Sequence, residues 1–259
     1  LDRYELSLDH LLQVAIKNHS HGALNPKAQF RESFWDIMER RKARASNRGE
    51  PVPTWKDEIE FLRDEQANPW VAWPLRLYDC APITDGAACV LLVAEDLASQ
   101  FTKHPVRIIG MGQASGRALH GNETMTSFPA AVAAAKEAYA MARVGPRDIQ
   151  MAEVHDCFTI AEIVATEDLE FFKPGEGASA VSEGRTSLSG DKPINTSGGL
   201  KAKGHPVGAS GVAMAVEIFH QLRGEADARQ IRDPNLELAL SHNLGGTGGS
   251  CVVTVYQSG

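Results

Sequence analysis

The sequence predicts an α/β domain in which helices pack on a mixed sheet, and three observations carry that reading. From residue 106 onward the local patterns run strand, helix, strand, helix, loop, helix, strand, strand, an order that favours helices packed on one sheet. The stretch "FPAAVAAAKEAYAMARVGPRDI" reads as a helix, with Pro129 in its first turn, an alanine-rich face suited to close packing, and Gly145-Pro146 as its stop. "LELALSHNLGGTGGSCVVTVYQ" reads as two strands joined by a glycine-rich turn, a hairpin.

The remaining elements follow in chain order. Leu8, Leu11, Leu12, Ala15 and Ile16 share one face of an amphipathic helix over residues 7–18. After the "NPKAQF" turn a polar helix runs from Arg31 to Arg44 and closes on "RRKARASNR", either a solvated helix end or a phosphate-facing patch. "NRGEPVPTWKDEIEFLRDEQANPWVAW" breaks the pattern with prolines, a short acidic helix and Trp55, Trp70 and Trp73. Such an excursion runs over a surface, where the tryptophans either pack it down or line an acyl pocket or a partner surface. "DGAACVLLVAE", Asp85 to Glu95, is expected to be a Gly-Ala turn and a buried strand, and "VRIIGMGQASG", Val106 to Gly116, a second strand. "QMAEVHDCF" reads as a short strand, "TIAEIVATEDLEFF" as the helix after it, and "ASGVAMAVEIFHQLRGEA" as a helix ending at Gly224.

Totals bound the function classes. At 259 residues the chain can hold one large domain or two modest ones with a sizeable core. A formal net charge of -7 with no long basic run weighs against nucleic acid as a partner. No apolar run approaches the ~18 residues a membrane helix needs, so no membrane span is expected. No charged-then-apolar leader is recognised, and the opening at Leu1 reads as if in mid-helix, so a fragment, a processed form or the ordered part of a longer polypeptide is expected. Cys80, Cys89, Cys157 and Cys251 are scattered without CxxC spacing. A zinc site or disulfide framework is therefore not expected, and a reducing cytoplasm is.

Three loops hold the chemistry. In "NTSGGLKAKGHPVGASG", Asn195 to Gly211, glycines let the backbone approach a ligand closely, and His205 stands beside a stiff proline at a helix start. A structural loop histidine is the alternative. In "EVHDCFTIAE" the residues His155, Asp156 and Cys157 close a strand, a common place for a site in an open sheet. A thiol there could serve as acid, base or nucleophile, or could simply be a small buried apolar group. In "SHNLGGTGGS", His242 and Asn243 end a strand before four glycines, whose freed amides could bind an oxyanion or merely close a hairpin. Two imidazoles, a thiol and glycine-supplied amides suit acyl or carbonyl chemistry through an enolate or thioester. No HxxxH or His–carboxylate spacing points to a metal.

These loops resemble those of the thiolase superfamily. "NTSGGLKAKGHPVGASG" is similar to its histidine loop, "HDCF" to the variant of the sterol carrier protein x-type and archaeal acetyl-CoA acetyltransferases, and "SHNLGGTGG" to the C-terminal loop. "AIKNHSHGALNPKAQFRE", "DCAPITDGAACVLL" and "FPAAVAAAKEA" add to the match. The resemblance implies a thiolase fold with a mixed five-stranded sheet and helices on both faces. Residues 1–80 would be part of a loop domain with the tryptophan-rich excursion, 81–103 the last strand and helix of the N-terminal half, and 104–259 the C-terminal half.

The resemblance also implies roles. His205 would bind a thioester oxygen and tune the nucleophile, Cys157 would move the α-proton, and His155 would join the oxyanion hole. Phe158 and Ala81 would lie beside the pantetheine arm, Asn195 would brace the loop at the substrate site, and an amide at Leu244 or Gly245 would enter a second oxyanion hole. His242 stands where standard thiolases carry a cysteine, so proton transfer falls to Cys157. The reaction implied is thiolysis of a 3-oxoacyl-CoA by coenzyme A, or the reverse Claisen condensation, as in lipid metabolism and β-oxidation. Coenzyme A is the co-substrate and no bound cofactor or metal is implied. A homodimer or tetramer is expected, with an accessory subunit open.

One departure matters. Neither Cys80 nor Cys89 fits the family's nucleophile motif, so that cysteine is expected on an upstream segment or a partner chain. The alternatives are a nucleophile-less thiolase-fold aldolase or lyase acting on a CoA ester, a non-catalytic thiolase-like subunit, and a Cys157–His205 acyl hydrolase.

Overall fold

A computed structural model describes residues 2–4, 6–117, 121 and 124–259. Its main sheet has four strands, β3 (Val106–Ser115), β6 (Ser250–Ser258), β5 (Leu238–Gly245) and β4 (Met151–Val154), in that spatial order. β6 runs antiparallel to both of its neighbours, β3 and β5, while β4 runs parallel to β5. The sheet is therefore mixed. Against the five strands expected, the sheet has four among the described residues, and beyond β4 Ile194 adds a single parallel bridge to Ala152.

Side-chain alternation places one helix layer on each face. Ala152, Val154, Leu240, Val253 and Val255 point into a core shared with α4 (Pro129–Ala142). Met151, Ala239 and Tyr256 point the other way, against Ile218 and Leu222 of α8 (Ser210–Leu222). The alanine face of α4 lets its backbone come down on β3. A Cβ at Gly112 would stand 2.0 Å from the Ala134 carbonyl, and one at Gly110 would stand 2.4 Å from that of Ala138. The helix ends before the expected Gly-Pro stop: Arg143 takes the left-handed conformation and Val144 N–H donates to the Tyr139 carbonyl.

The N-terminal third is helical. α1 (Leu8–Ala23) runs on past the expected residue 18 and packs two ways. Leu12 and Ala15 join a cluster with Phe34, Ile37 and Met38 of α2 (Phe34–Asn47) and Phe61 and Leu62 of α3 (Glu58–Arg63). Leu11 and Val14 pack on Ile163 of α5 (Thr159–Asp168) and on Ala178 and Val181 of α6 (Gly177–Ser182). The basic end of α2 is a solvated helix surface, with Arg40 paired to Glu32 and Lys42 to Glu39. The excursion carries the short hairpin β1 (Trp70–Ala72) and β2 (Leu75–Arg76). Trp55 packs it down against Phe61 and donates to Asp64, and Trp70 lies under the Arg76 guanidinium at 3.7 Å. Trp73 at the hairpin tip is 78% exposed.

The buried strand expected over Asp85–Glu95 does not form. Residues 86–94 have no ladder partner among the described residues, and Leu91 and Leu92 are each 72% exposed. An apolar run with strand composition becomes a strand only where another edge satisfies its N–H and C=O groups, and none lies beside it here.

Candidate active site

The end of the parallel β4–β5 pair is where the three loops converge. The ladder closes at Val154 opposite His242, so His155–Cys157 and Asn243–Gly245 leave the sheet side by side. β5 outruns β4 there, and Asn243, Leu244 and Gly245 are flanked by β6 alone. Alternate amides of that stretch thus face an edge without a strand. Leu244 itself packs into the α4 core.

Carboxylates weld the glycine loop to the β4 loop. Asp156 is fully buried and accepts from Leu200 N–H at 2.6 Å and from Asn18 Nδ2 at 2.8 Å. Gly199, at φ +60°, must stay bare: its Cβ would meet Asp156 Oδ2 at 2.2 Å. Glu153 accepts from Ser197 N–H at 3.0 Å and from Ser197 Oγ, with Lys203 Nζ at 3.6 Å. Burial, with the Glu162 charge nearby, lifts the Asp156 carboxyl to about 7, and burial raises Glu153 as well.

Asn195 braces the start of the glycine loop. At φ +57° its Oδ1 accepts from Val154 N–H at 2.8 Å, its Nδ2 donates to Glu162 at 2.8 Å, and its carbonyl lies 3.0 Å from His21 Nδ1. Fully buried, with its side-chain polar atoms bonded inside the protein, Asn195 ties the start of the glycine loop to β4 and to Glu162. The Glu162 carboxylate it touches is paired to Lys17 at 2.7 Å.

His155 and His205 meet edge to face, their ring centroids 5.0 Å apart. His155 Nδ1 lies 3.0 Å from Asn243 Oδ1, and His205 Nδ1 lies 2.7 Å from Ser210 Oγ. Burial holds His155 down at about 4, an effect the Asn243 bond partly opposes and the His205 charge reinforces. Burial, then Lys203, lowers His205. Both rings are neutral at pH 7. His242 is buried beneath them and held near 3 by desolvation, with Nδ1 3.4 Å from His155 N–H.

Cys157 is partly buried, and burial followed by the Asp156 charge pushes its thiol up to about 11, so the thiol is protonated at neutral pH. The segment Cys80–Thr84 laces this loop to the next one. Ala81 N–H donates to the Cys157 carbonyl at 2.9 Å, and Cys80 bridges Phe158 in antiparallel fashion. Ile83 bridges His205, and His205 N–H donates to Thr84 Oγ1 at 3.1 Å. The structure thus brings Ala81, His155, Cys157, Phe158 and His205 together, with Leu244 and Gly245 on the neighbouring strand end.

Sequence reading missed Asn18, Thr84, Lys201 and Ser210. Lys201 is buried in α7 (Gly199–Ala202) and donates to the Cys80 carbonyl at 2.6 Å. Lys201 had a signal in the notably polar "GGLKAKG", where a lysine follows an apolar residue in a glycine-rich turn. Among the described residues no group of three His, Cys, Asp or Glu side chains is placed to hold a metal, and no helix is long and apolar enough to cross a membrane.

Comparison with known proteins shows the family. Residues 112–258 match the family described as "Thiolase C-terminal domain-like". The chain is 41% identical to the acetyl-CoA acetyltransferase of Methanothermobacter thermautotrophicus over 254 residues, covering 98% of this chain and 59% of that protein. It is 32% identical to human (Homo sapiens) sterol carrier protein 2 over 265 residues, covering 43% of that protein. Among solved structures, an Ltp2–ChsH2(DUF35) aldolase superposes with a TM-score of 0.77 at 23% identity, covering 99% of this chain and 60% of that one. A monomeric SCP2-thiolase-like protein from Mycobacterium smegmatis gives 0.62 at 16% identity, covering 99% of this chain and 48% of that one. The chain belongs to the thiolase family. It spans a little over half the length of the archaeal relative and less than half that of the human one.

Proposed function

We propose that this chain carries the proton-transfer side of a thiolase-type acyltransferase, which cleaves a 3-oxoacyl-CoA with coenzyme A or runs the reverse Claisen condensation. The observation that supports this reading is the convergence of Cys157, His155 and His205 at one sheet end, with Ala81 bonded to the cysteine's own carbonyl.

In this reading Cys157 is the acid that protonates the enolate left by C–C cleavage. Its S–H bond breaks, a C–H bond forms at the α-carbon, and the thiolate recovers a proton from the thiol of coenzyme A. A thiol pushed up to about 11 is in the protonated form that this direction needs first. His205 and His155 bind the thioester oxygen, an open-edge amide at Leu244 or Gly245 binds a second one, and Phe158 and Ala81 flank the pantetheine arm. In this reading the acylated cysteine comes from outside residues 1–259, since neither Cys80 nor Cys89 fits the family's nucleophile motif and Cys251 is buried in the core. A cytoplasmic location, self-association and an accessory subunit belong to the same reading; the aldolase named above joins Ltp2 to ChsH2(DUF35).

The test is α-proton exchange of an acyl-CoA in D2O, together with thiolysis of a 3-oxoacyl-CoA, in the full-length protein. Cys157→Ala should slow both by about 10²–10⁴-fold. Unchanged rates would overturn the reading. Retained retro-aldol cleavage without an acyl-enzyme would favour the nucleophile-less lyase.

A further inference from the structure

We propose that Asn243 is a positioning residue that fixes the tautomer of His155, with the proton on Nδ1 and a lone pair on Nε2. The consequence for catalysis rests on the acyl-CoA reading above; the tautomer itself does not.

The argument starts from the donor–acceptor inventory. The group 3.0 Å from His155 Nδ1 is the side-chain carbonyl of Asn243, which only accepts. The hydrogen in that bond must therefore be on Nδ1. A neutral ring has one N–H, so Nε2 is bare. His205 is held differently: its Nδ1 lies 2.7 Å from the Ser210 hydroxyl, whose single hydrogen can go either to that nitrogen or to the Pro206 carbonyl at 3.1 Å. Of the two imidazoles, 5.0 Å apart, only His155 faces a pure acceptor at Nδ1.

The other loop leaves room for the amide of Asn243. A Cβ on Gly211 would stand 2.6 Å from Asn243 Nδ2, so the last glycine of "GASG" leaves the space that this side chain fills. Gly211 has no positive φ, and the need for glycine here is steric. The groups facing His155 are Asn243, the His205 ring and His242 Nδ1, and no carboxylate lies within ion-pair reach of it among the described residues. The Asp156 carboxylate points to α7 instead.

A bare nitrogen repels an oxyanion and accepts a proton. His155 therefore becomes a donor to a thioester oxygen only after Nε2 has taken a proton. Oxyanion binding at this residue is coupled to proton uptake, whereas a ring in the opposite tautomer would donate at once.

Imidazole 15N spectra of the full-length protein labelled at histidine test this, because Nδ1–H, Nε2–H and doubly protonated rings have distinct shifts. His155→Gln identifies the signal. The wild type should show Nδ1–H for His155. Asn243→Ala should move the signal toward Nε2–H, and Gly211→Ala should do the same by displacing the amide. Asn243→Asp keeps the shape and should raise the ring pKa by about one to three units, moving the acid limb of the turnover profile up by the same amount. An Nε2–H ring in the wild type, or a tautomer unmoved in whichever of Asn243→Ala and Gly211→Ala folds, would overturn the proposal. If only the acyl-CoA reading fails, turnover is absent in every variant while the tautomer shifts remain.

Discussion

The Lys201 ammonium, 1% exposed, donates to the main-chain carbonyl of Cys80 at 2.6 Å, and this bond joins the glycine loop to the segment that pairs with Cys157. Burial holds Lys201 down near 8, against the pull of Asp156 and Asp79. It is also a cation whose charge lowers the Cys157 thiol against the larger effects of burial and Asp156. Lys201→Met should therefore raise the thiol pKa and move the alkylation profile of the Cys157 peptide, followed by mass spectrometry with iodoacetamide, to higher pH. An unmoved profile would mean that the lysine only ties the backbone.

The Lys17–Glu162 pair, 2.7 Å apart and buried, should be worth more as a pair than either residue alone. Glu162 also takes amide hydrogens from Asn18 and Asn195 at 2.7 and 2.8 Å, so losing Lys17 leaves a buried carboxylate without its cation. Lys17→Met should cost about 3–5 kcal/mol in urea denaturation. Combining it with Glu162→Gln should recover part of that loss, and a double-mutant cycle with no coupling energy would contradict the arrangement.

Gly199 and Gly184 separate backbone strain from close contact. Both have positive φ, +60° and +75°, but a Cβ on Gly199 meets Asp156 at 2.2 Å while one on Gly184 meets nothing within 4 Å. Gly184→Ala should cost only the left-handed penalty, about 1–2 kcal/mol. Gly199→Ala should lower the melting temperature further, and should detach the amide of Leu200 from Asp156. Equal melting temperatures for the two variants would remove the steric argument.

His21 gives a pH dependence of known sign. Burial, and then the Lys17 charge, hold its imidazole near 3, below the unfolded value of 6.5. A lowered histidine lends stability above the unfolded pKa and loses it as pH falls toward the folded one, because the unfolded chain takes up the proton first. Between pH 6.5 and 4 the wild type should lose stability relative to His21→Asn by up to about 1.4 kcal/mol per pH unit. Asparagine can still donate to the Asn195 carbonyl, so the fold is kept. Parallel stability curves for the two proteins would show that the ring is not neutral in the folded state.

Much of the fold was legible because its signals are local. The proline-led alanine helix, the β5–β6 hairpin and the strand before Cys157 each declare themselves within a dozen residues. The two four- to six-residue helices α6 and α7 escaped, since neither is long enough to show a period. The strand expected at 85–95 failed for the opposite reason: its composition was right, but strand formation depends on a neighbour that composition cannot supply.

The site divides in the same way. Residue identity alone marked His155, Cys157 and His205, because a thiol and two imidazoles beside glycine turns are chemically conspicuous. It could not say that Asn195 would bond to Glu162, that Lys201 would be buried under Cys80, or that Asn243 rather than His242 would meet the His155 ring. Those outcomes are set by contacts across 33 to 121 residues of sequence, made when the loops close on one another. A sequence determines which groups are available and which local conformations they favour. Which buried polar atoms become partners is decided only when packing removes water and each must find the donor or acceptor within reach.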